Sequence, residues 1–311
     1  VKLPRFKRRT GASDRPAMSR HRTTAAVLFV LLATWAMSAT ASAAVPNFVF
    51  PVVAKTIHTN DFGDPRWQGR HQGNDLMAAK RSPVVAVEAG RVVKWTTSGS
   101  AGCMLYLYGR SGTTYMYVHL NNDRTMRNDN RGGCRNGIAY APGLARSQKV
   151  QAGQLIGFVG DSGDANGIAS HLHFELHPNG GRAVSPFRRL RAARHLLFPR
   201  PPAALRDISI RVGGTVVLTR LNPERIRIRA ARVRLSNGWM VRPARDVTLS
   251  LPLTAVVRRG GTAGPSTTAT LADFTPGQRV TAWTNTFTHN LTTAKADPPL
   301  LTIRDLLLWN P

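Results

Sequence analysis

The stretch His171-Leu172-His173-Phe174-Glu175-Leu176-His177 decides the fold of this chain. Apolar and polar residues alternate through it, which predicts a β-strand with one apolar face and one polar face. His171 and His173 then point to the same face, where two adjacent imidazoles suit a metal site or a proton relay. The same pattern also fits an amphipathic strand whose polar face only contacts water. Other parts of the sequence must decide between these two interpretations.

Composition sets the broad class of protein. The chain has 311 residues, which allows two domains, and 42% of them are hydrophobic, which is enough for a packed core. The net charge of +27 makes nucleic acid a conceivable partner. The basic residues are scattered, however, and lack the interleaved aromatic residues of a nucleic-acid surface. We therefore expect no nucleic-acid partner, and expect attraction to a polyanionic surface such as a cell wall.

The N-terminal segment has the pattern of a secretory signal peptide. A short basic region follows Met18, an apolar run extends from Ala25 to Met37, and Ala41-Ser42-Ala43 supplies small residues for cleavage. We predict that residues 1–43 are a signal peptide and that translation starts at Met18, with an over-extended gene start before it. A retained membrane anchor is the alternative, but the apolar run is short for a bilayer. We expect a monomer without a stable membrane anchor, secreted to the cell wall or periplasm.

The chain contains two cysteines, Cys103 and Cys134. An even number in an exported protein favours a disulfide, which here would close a loop rich in Asn, Arg and Gly. Closing a loop of that length contributes about 3 to 4 kcal/mol by the loop-entropy relation. Two free thiols are the alternative. The spacing is not that of a CxxC zinc site, so we expect no thiolate metal ligand.

Residues 44–195 predict a domain built almost entirely of strands. Two strands are expected within 83–95 around Ala89-Gly90, and a further strand within 150–160. Between them, Met104–Tyr108 and Thr113–Val118 are predicted to pair through a turn at 109–112, with His119 where the second strand ends. A glycine-rich loop, 161–170, leads into His171. No long amphipathic helix is expected in 45–187.

His71 and Asp75 lie four residues apart in Gly69-Arg70-His71-Gln72-Gly73-Asn74-Asp75-Leu76. The two glycines predict a tight, irregular backbone here rather than a helix. Alone, such a pair is more typical of a surface histidine and aspartate. With one of the paired histidines, it supplies the three protein ligands that a catalytic zinc site needs. The other paired histidine and His119 are then free for proton transfer.

Together these motifs resemble the lysostaphin-type zinc endopeptidases of bacterial cell walls. Residues 69–76 are similar to that family's H-x-G-x-D motif, Tyr115–Leu120 to its Y-x-Y-x-H-L motif and His171–Glu175 to its H-L-H-F-E motif, in the same order. The resemblance covers roughly residues 55–187. Residues 81–84 depart from the family's usual Gly-Thr-Pro-Val, and 121–147 is longer than in a minimal member. We expect this longer segment to form one wall of the groove, which leaves the choice of substrate open.

The resemblance implies a role for each candidate residue. His71, Asp75 and His173 would hold Zn2+, while His119 and His171 would act on the water and the tetrahedral intermediate. The sequence does not distinguish which of these two is the base. The resemblance also implies an antiparallel sheet with the metal on the floor of a groove, and a peptidoglycan substrate. The expected function is a secreted zinc metalloendopeptidase that hydrolyses peptide bonds of peptidoglycan. A catalytically silent wall-binding protein, or an activator of another wall hydrolase, is the alternative.

The C-terminal part predicts a second, smaller all-β domain. A short basic helix within 188–195 and a proline-rich linker at 196–204 precede it, and 205–311 alternates in the manner of strands. Its arginines are expected on the outward face of those strands. Such a basic face would bind anionic wall polymers, or the domain would simply pack against the first as an accessory. The predicted fold class is therefore all-β throughout.

Overall fold

The structure is a computed structural model that describes residues 48–67, 69–200, 205–221, 224–236, 238–260, 267–289 and 301–309. The predicted signal peptide, its cleavage site and the start at Met18 lie outside the described residues. Residues 201–204 of the predicted linker lie outside them as well. No helix in the described ranges has both the length and the apolar character needed to cross a membrane.

The first half of the described chain consists of eleven strands and one α-helix. In chain order they are β1 (Thr56–Ile57), β2 (Pro65–Arg66), β3 (Gly69–Arg70), β4 (Asn74–Ala78), β5 (Pro83–Val85), β6 (Gly90–Ser98), β7 (Gly102–Gly109), β8 (Thr114–Leu120), β9 (Ser147–Val150), β10 (Leu155–Phe158), β11 (His171–His177) and α1 (Phe187–Ala192). Short 3₁₀ turns occur at Gly163–Ala165 and Pro178–Gly180. The predicted all-β fold is confirmed, and α1 overlaps the predicted short basic helix.

Seven of these strands form one antiparallel sheet in the order β1-β4-β11-β8-β7-β6-β9. The predicted hairpin is present as β7 and β8. Two strands also occur within 83–95, but Ala89-Gly90 does not join them as a hairpin. β5 instead pairs with β10 in a separate sheet, whereas β6 lies between β7 and β9. The strand with the paired histidines, β11, lies between β4 and β8, so residues from three strands can meet on one face.

Strand β11 has the two faces that its alternation predicts. Leu172, Phe174 and Leu176 are at most 1% exposed and belong to the core. The ring of Phe174 packs against Tyr115 and Tyr117, with ring centroids 5.9 and 5.2 Å away. Burying each such apolar side chain contributes roughly 1.5–3 kcal/mol. This packing fixes the register of β11, because a slip of one residue would turn the histidines into the core.

The loop that follows β8 is tied down by covalent and ionic links. The predicted disulfide joins Cys103 to Cys134, whose Cα atoms are 5.2 Å apart. Asp123 is fully buried and accepts an ion-paired hydrogen bond from Lys80 at 2.5 Å. Lys80 also lies 2.9 Å from Asp161, at the start of the loop that leads into β11. These contacts join the turn after β4 to both loops beside β8 and β11.

The C-terminal part of the described chain has ten strands, five of which form a closed ring. They are β12 (Leu205–Ile208), β13 (Ile210–Leu221), β14 (Glu224–Leu235), β15 (Met240–Val241), β16 (Arg245–Ser250), β17 (Val256–Gly260), β18 (Thr267–Thr268), β19 (Arg279–Thr284), β20 (Phe287–His289) and β21 (Leu301–Trp309). Strand β13 pairs with β14 and β19, and β16 pairs with β14 and β21, while β19 pairs with β21. The five strands therefore enclose a barrel-like apolar core.

Strand β14 shows how the arginines are distributed over this barrel. Ile226 and Ile228 are fully buried in the core, whereas Arg227 and Arg229 between and after them are exposed. The predicted outward arginine face is thus confirmed for this strand. Before the barrel, Leu196, Leu197 and Phe198 are 2–3% exposed. This part of the predicted linker is therefore packed against apolar side chains rather than solvated.

Candidate metal centre

Three of the candidate residues converge on one point of the polar face of the large sheet. Asp75 on β4 and His173 on β11 are directly opposite each other in the antiparallel ladder, and His71 precedes β4. His71 Nε2 is 2.9 Å from His173 Nδ1 and 3.2 Å from Asp75 Oδ1, and His173 Nδ1 is 3.0 Å from Asp75 Oδ1. One ligand atom from each of the three lies within 4.8 Å of the others. Two imidazoles and a carboxylate at this spacing form a donor set suited to a divalent metal.

Gly73 allows this convergence. A Cβ atom at this position would lie 2.5 Å from the carbonyl oxygen of Phe174 and 2.9 Å from Nε2 of His173. No real side chain tolerates such contacts, so any other residue would push β4 away from β11. The glycine of the H-x-G-x-D motif therefore permits the close approach of the two strands that carry the ligands.

Neighbouring groups orient the two imidazoles. His71 Nδ1 lies 2.8 Å from the carbonyl oxygen of Asp61, which can only accept, so Nδ1 carries the proton and Nε2 presents a lone pair. His173 Nε2 lies 2.9 Å from Oε1 of Glu175, which leaves Nδ1 facing the other ligands. The second oxygen of Glu175 is 2.6 Å from Nε2 of His177. Both rings thus have the second partner that is usual for histidines that ligate metals.

The carboxylate of Asp75 is held between cations and imidazoles. Arg66 Nη2 donates to Oδ2 at 2.9 Å, so Oδ1 is the oxygen that faces the two histidines. Burial acts to raise the pKa of Asp75, but the hydrogen bond from His173 and the neighbouring imidazoles outweigh it and hold the pKa far below its usual range. Burial acts to lower the pKa of His173, but its bonds to Asp75 and Glu175 raise it to about 9. A metal that binds here must therefore displace a proton from His173.

His119 lies within β8 rather than at its end, which corrects the predicted boundary. The pairing of β7 with β8 shifts between Cys103 and Leu105, so Val118 and His119 together face one residue of β7. This is a β-bulge, and His119 has a φ of +59°, a conformation that is rare for residues other than glycine. Bulges of this kind redirect a side chain. Here the bulge brings the ring of His119 to the polar face, 5.0 Å from the ring of His171 and 6.0 Å from that of His173.

His119 and His171 share one protonation pattern. His119 Nδ1 donates to the carbonyl oxygen of Ser162 at 2.8 Å, and His171 Nδ1 donates to that of Ala169 at 2.9 Å. Each ring therefore presents Nε2 as a proton acceptor, and Nε2 of His171 lies 3.8 Å from Oδ1 of Asp75. Burial, aided by the nearby His171, lowers the pKa of His119 to about 4, so this ring is neutral at neutral pH. The geometry brings together all five residues that the sequence singled out.

Four further residues hold this site in place and were not anticipated from the sequence. They are Asp61, Arg66, Ser162 and Glu175. Of these, only Glu175 could have been found from the sequence, because a residue two positions from His173 on a strand points to the same face of the sheet. Asp61 and Arg66 lie in a stretch that reads as an ordinary turn. Ser162 contributes a backbone carbonyl, which no side-chain pattern reveals.

Comparison with known proteins agrees with the site. Residues 69–131, which include His71, Asp75 and His119, match the model of "Peptidase family M23". The L-Ala--D-Glu endopeptidase of Bacillus subtilis (strain 168) is 27% identical over 156 residues, which make up 47% of this chain and 43% of that protein. The chain thus spans less than half the length of this curated relative.

Solved structures include two similar catalytic domains. That of lysostaphin from Staphylococcus simulans is 23% identical with a TM-score of 0.33, over 44% of this chain and 92% of that one. That of the prophage-encoded M23 protein EnpA from Enterococcus faecalis is 23% identical with a TM-score of 0.34, over 45% and 95%. The family match over residues 69–131 agrees with the three motifs, and the predicted resemblance to the lysostaphin-type endopeptidases is confirmed.

Proposed function

We propose that this chain is a secreted zinc metalloendopeptidase that hydrolyses peptide bonds of peptidoglycan. The observation that carries this proposal is the convergence of His71 Nε2, Asp75 Oδ1 and His173 Nδ1, with two further histidines beside them. The family match supports a peptidase, and the endopeptidase name of the Bacillus subtilis relative supports a peptide bond of the cell wall as its target. The disulfide and the pattern of residues 1–43 support export.

His71, Asp75 and His173 would hold the zinc ion. When bound, zinc supplies a Lewis acid that lowers the pKa of water and polarises the carbonyl oxygen of the scissile bond. Glu175 and the carbonyl of Asp61 keep the two ligand imidazoles in the tautomers that binding requires. Arg66 keeps one oxygen of Asp75 occupied, so that the other is directed at the site.

His119 and His171 would move the protons of the reaction. In each ring Nδ1 is held by a backbone carbonyl, which leaves Nε2 for proton transfer. One ring would accept the proton of the attacking water at Nε2 and later deliver it to the leaving amine. The other would stabilise the developing oxyanion after taking up a proton from solvent at Nε2. The two rings are 5.0 Å apart and have the same hydrogen-bond pattern, so either of them could act as the base.

The test is digestion of purified peptidoglycan by the zinc-loaded protein, with and without a chelator, followed by mass spectrometry of newly formed amines. We expect release that stops with the chelator and returns with added zinc, and the mass of the products identifies the bond. Stoichiometric zinc without release of any product would contradict the proposal and favour the wall-binding or activating alternative.

A further inference from the structure

A concave basic surface lies on the outer face of the C-terminal barrel, far along the chain from the metal centre. Strands β14, β13, β19 and β21 form a concave region there with a volume of about 890 Å³. Six arginines line it: Arg211, Arg229, Arg232, Arg234, Arg242 and Arg279. None of the residues that line this region is acidic. We refer to it as the arginine trough.

The ladder places three of these arginines, Arg211, Arg232 and Arg234, close together on one face. Arg211 on β13 faces Arg234 on one side and Trp283 on the other. Two residues along, Gly213 faces Arg232 and Thr281. Because residues two apart on a strand point the same way, these side chains stand on one outward face while Val212 and Val280 point into the core. The arginines of neighbouring strands therefore lie next to one another on one exposed surface.

The floor of the trough is open because of one glycine. A Cβ atom added to Gly213 would meet nothing nearer than the hydroxyl of Thr281, at 4.0 Å. The φ angle of Gly213 is not in the left-handed region, so backbone geometry does not demand a glycine here. The missing side chain leaves a channel between the flanking arginines, and a narrow chain can lie in it.

Few of these charges are neutralised by the protein. Arg229 pairs with Asp246, and Arg279 lies over the ring of Trp309, with its guanidinium 5.7 Å from the ring centroid. Neither Arg211 nor Arg232 has an ion pair with a carboxylate in the part of the chain that the structure describes. Like charges held together on one surface repel, so the arrangement favours a ligand that supplies repeated negative charge. Guanidinium groups bind phosphate and carboxylate oxygens in forked geometry.

The aromatic residues argue against nucleic acid as that ligand. Proteins that bind single strands stack successive bases on several exposed rings. Here Trp309 is covered by Arg279, and its Nε1 donates to Thr281 at 2.9 Å. Trp283 is then the one indole in the trough without a ring contact to another described residue. The trough fits better a polymer that is recognised through the charge along its backbone. The ring of Trp283 could then pack on one sugar or polyol unit of that polymer.

We propose that the arginine trough binds a phosphate-bearing polymer of the bacterial cell wall. A phosphodiester chain carries one uncompensated negative charge in each repeat, whereas the stem peptides of peptidoglycan carry amines as well as carboxylates. The arginines without an ion pair therefore match a phosphodiester chain better than a stem peptide. The choice of a wall polymer rests on the proposed function, while the trough as a polyanion site does not. Bound in this way, the protein would be held at the wall independently of its metal centre.

The experiment measures binding of the full chain, with chelator present so that no substrate is cleaved. Probes are poly(glycerol phosphate), purified walls, the same walls after acid extraction of their phosphate polymers, and single-stranded DNA of equal charge. We expect binding to the first two, at least about 10-fold weaker binding to extracted walls, and weakening of binding as salt increases. Equal binding to extracted walls, or tighter binding to DNA, would overturn the proposal.

Three variants locate the site. R211Q combined with R232Q is expected to weaken binding at least about 10-fold, since each loses a charge-assisted bond. R227Q is the matched control, because Arg227 is exposed on the same strand β14 but does not line the trough, and it should bind within about 2-fold of wild type. Gly213→Val keeps the charge and fills the floor, and should also weaken binding.

If Gly213→Val binds normally, or R227Q fails as badly as the double variant, the trough is not the site. Hydrolysis by zinc-loaded R211Q/R232Q of short soluble wall peptides should be unchanged, which separates this site from the proposed peptidase.

Discussion

His173 on β11 and Asp75 on β4 lie directly opposite each other in the ladder, with Nδ1 of the histidine 3.0 Å from Oδ1 of the aspartate. We predict that His173→Ala abolishes stoichiometric zinc binding, because one of three protein ligands is lost. His119→Ala and His171→Ala should keep the metal and lose most of the rate, since neither is needed to hold it. Metal analysis of the dialysed variants, beside their activity, measures this. Loss of zinc from His119→Ala would show that the ligand assignment is misplaced.

Glu175 is predicted to set the affinity of the site although it is not a ligand. It accepts from His173 Nε2 at 2.9 Å and so fixes the tautomer of that ring. Glu175→Gln keeps the size and removes the charge, and should lower zinc affinity by about 10- to 100-fold. A competition titration with a chromogenic chelator measures the affinity. The control is His177→Gln, which alters the partner of the other carboxylate oxygen, 2.6 Å away, and should have a much smaller effect. Equal affinities for Glu175→Gln and wild type would refute the prediction.

Ser162 is predicted to position His119. Its carbonyl accepts a hydrogen bond from His119 Nδ1. Its Oγ accepts from the backbone N–H of Cys103 at 2.9 Å and donates to the carbonyl of Leu120 at 2.5 Å. The side chain thus joins the two strands that form the bulge. Ser162→Ala leaves that buried N–H without a partner, at a cost of about 1–3 kcal/mol, and lets the strained bulge relax. We expect kcat to fall about 10-fold or more, with KM and zinc content little changed, and Ser162→Thr to restore it.

A loss of stability alone cannot produce that pattern. Ser111 offers the comparison, because its Oγ donates to Glu88 at 2.6 Å in a part of the domain that holds none of the candidate site residues. Ser111→Ala should lose some stability while kcat is retained. If both variants lose kcat in proportion to stability, Ser162 has no positioning role.

The parts of the site that follow from periodicity could be predicted, and those that depend on backbone geometry could not. The alternation in 171–177 is sufficient to place His171, His173 and Glu175 on one face. The left-handed conformation of His119 could not be anticipated, since nothing local favours it and the bulge exists because β7 and β8 shift register there. The sequence also did not reveal which strands pair with each other. Ala89-Gly90 has turn chemistry, yet β5 pairs with β10, which lies some 70 residues on in the chain, because the choice is made by tertiary packing.

The disulfide is predicted to stabilise the domain that carries the metal centre. It closes a loop of 31 residues between β7 and the segment after β8. Replacing both cysteines by serine should lower the free energy of unfolding by about 3 to 4 kcal/mol, because the unfolded chain regains the entropy of the open loop. Denaturant titration measures the change. Reductant should produce the same loss in wild type and none in the double variant. A reductant effect that persists without the cysteines would contradict this explanation.

Acid sensitivity is predicted to arise in part from His195, which is not one of the candidate site residues. Its ring stacks on Phe50 with centroids 4.2 Å apart. Burial, with Arg245 and His58 nearby, lowers its pKa from 6.5 to about 4. Because the folded protein resists protonating this ring, the unfolded chain binds more protons between these two pH values. Stability should therefore be fully present above pH 6.5 and should fall as the pH drops toward 4.

The variant that tests this is His195→Phe, which keeps an aromatic ring against Phe50 and removes the titrating group. Since the ring is partly exposed, we expect the variant to lose about 1 to 2 kcal/mol less than wild type between pH 7 and pH 4.5. Unfolding in denaturant at a series of pH values measures both proteins. Parallel stability curves for the two proteins would mean that His195 does not contribute, and that the acid sensitivity comes from other groups.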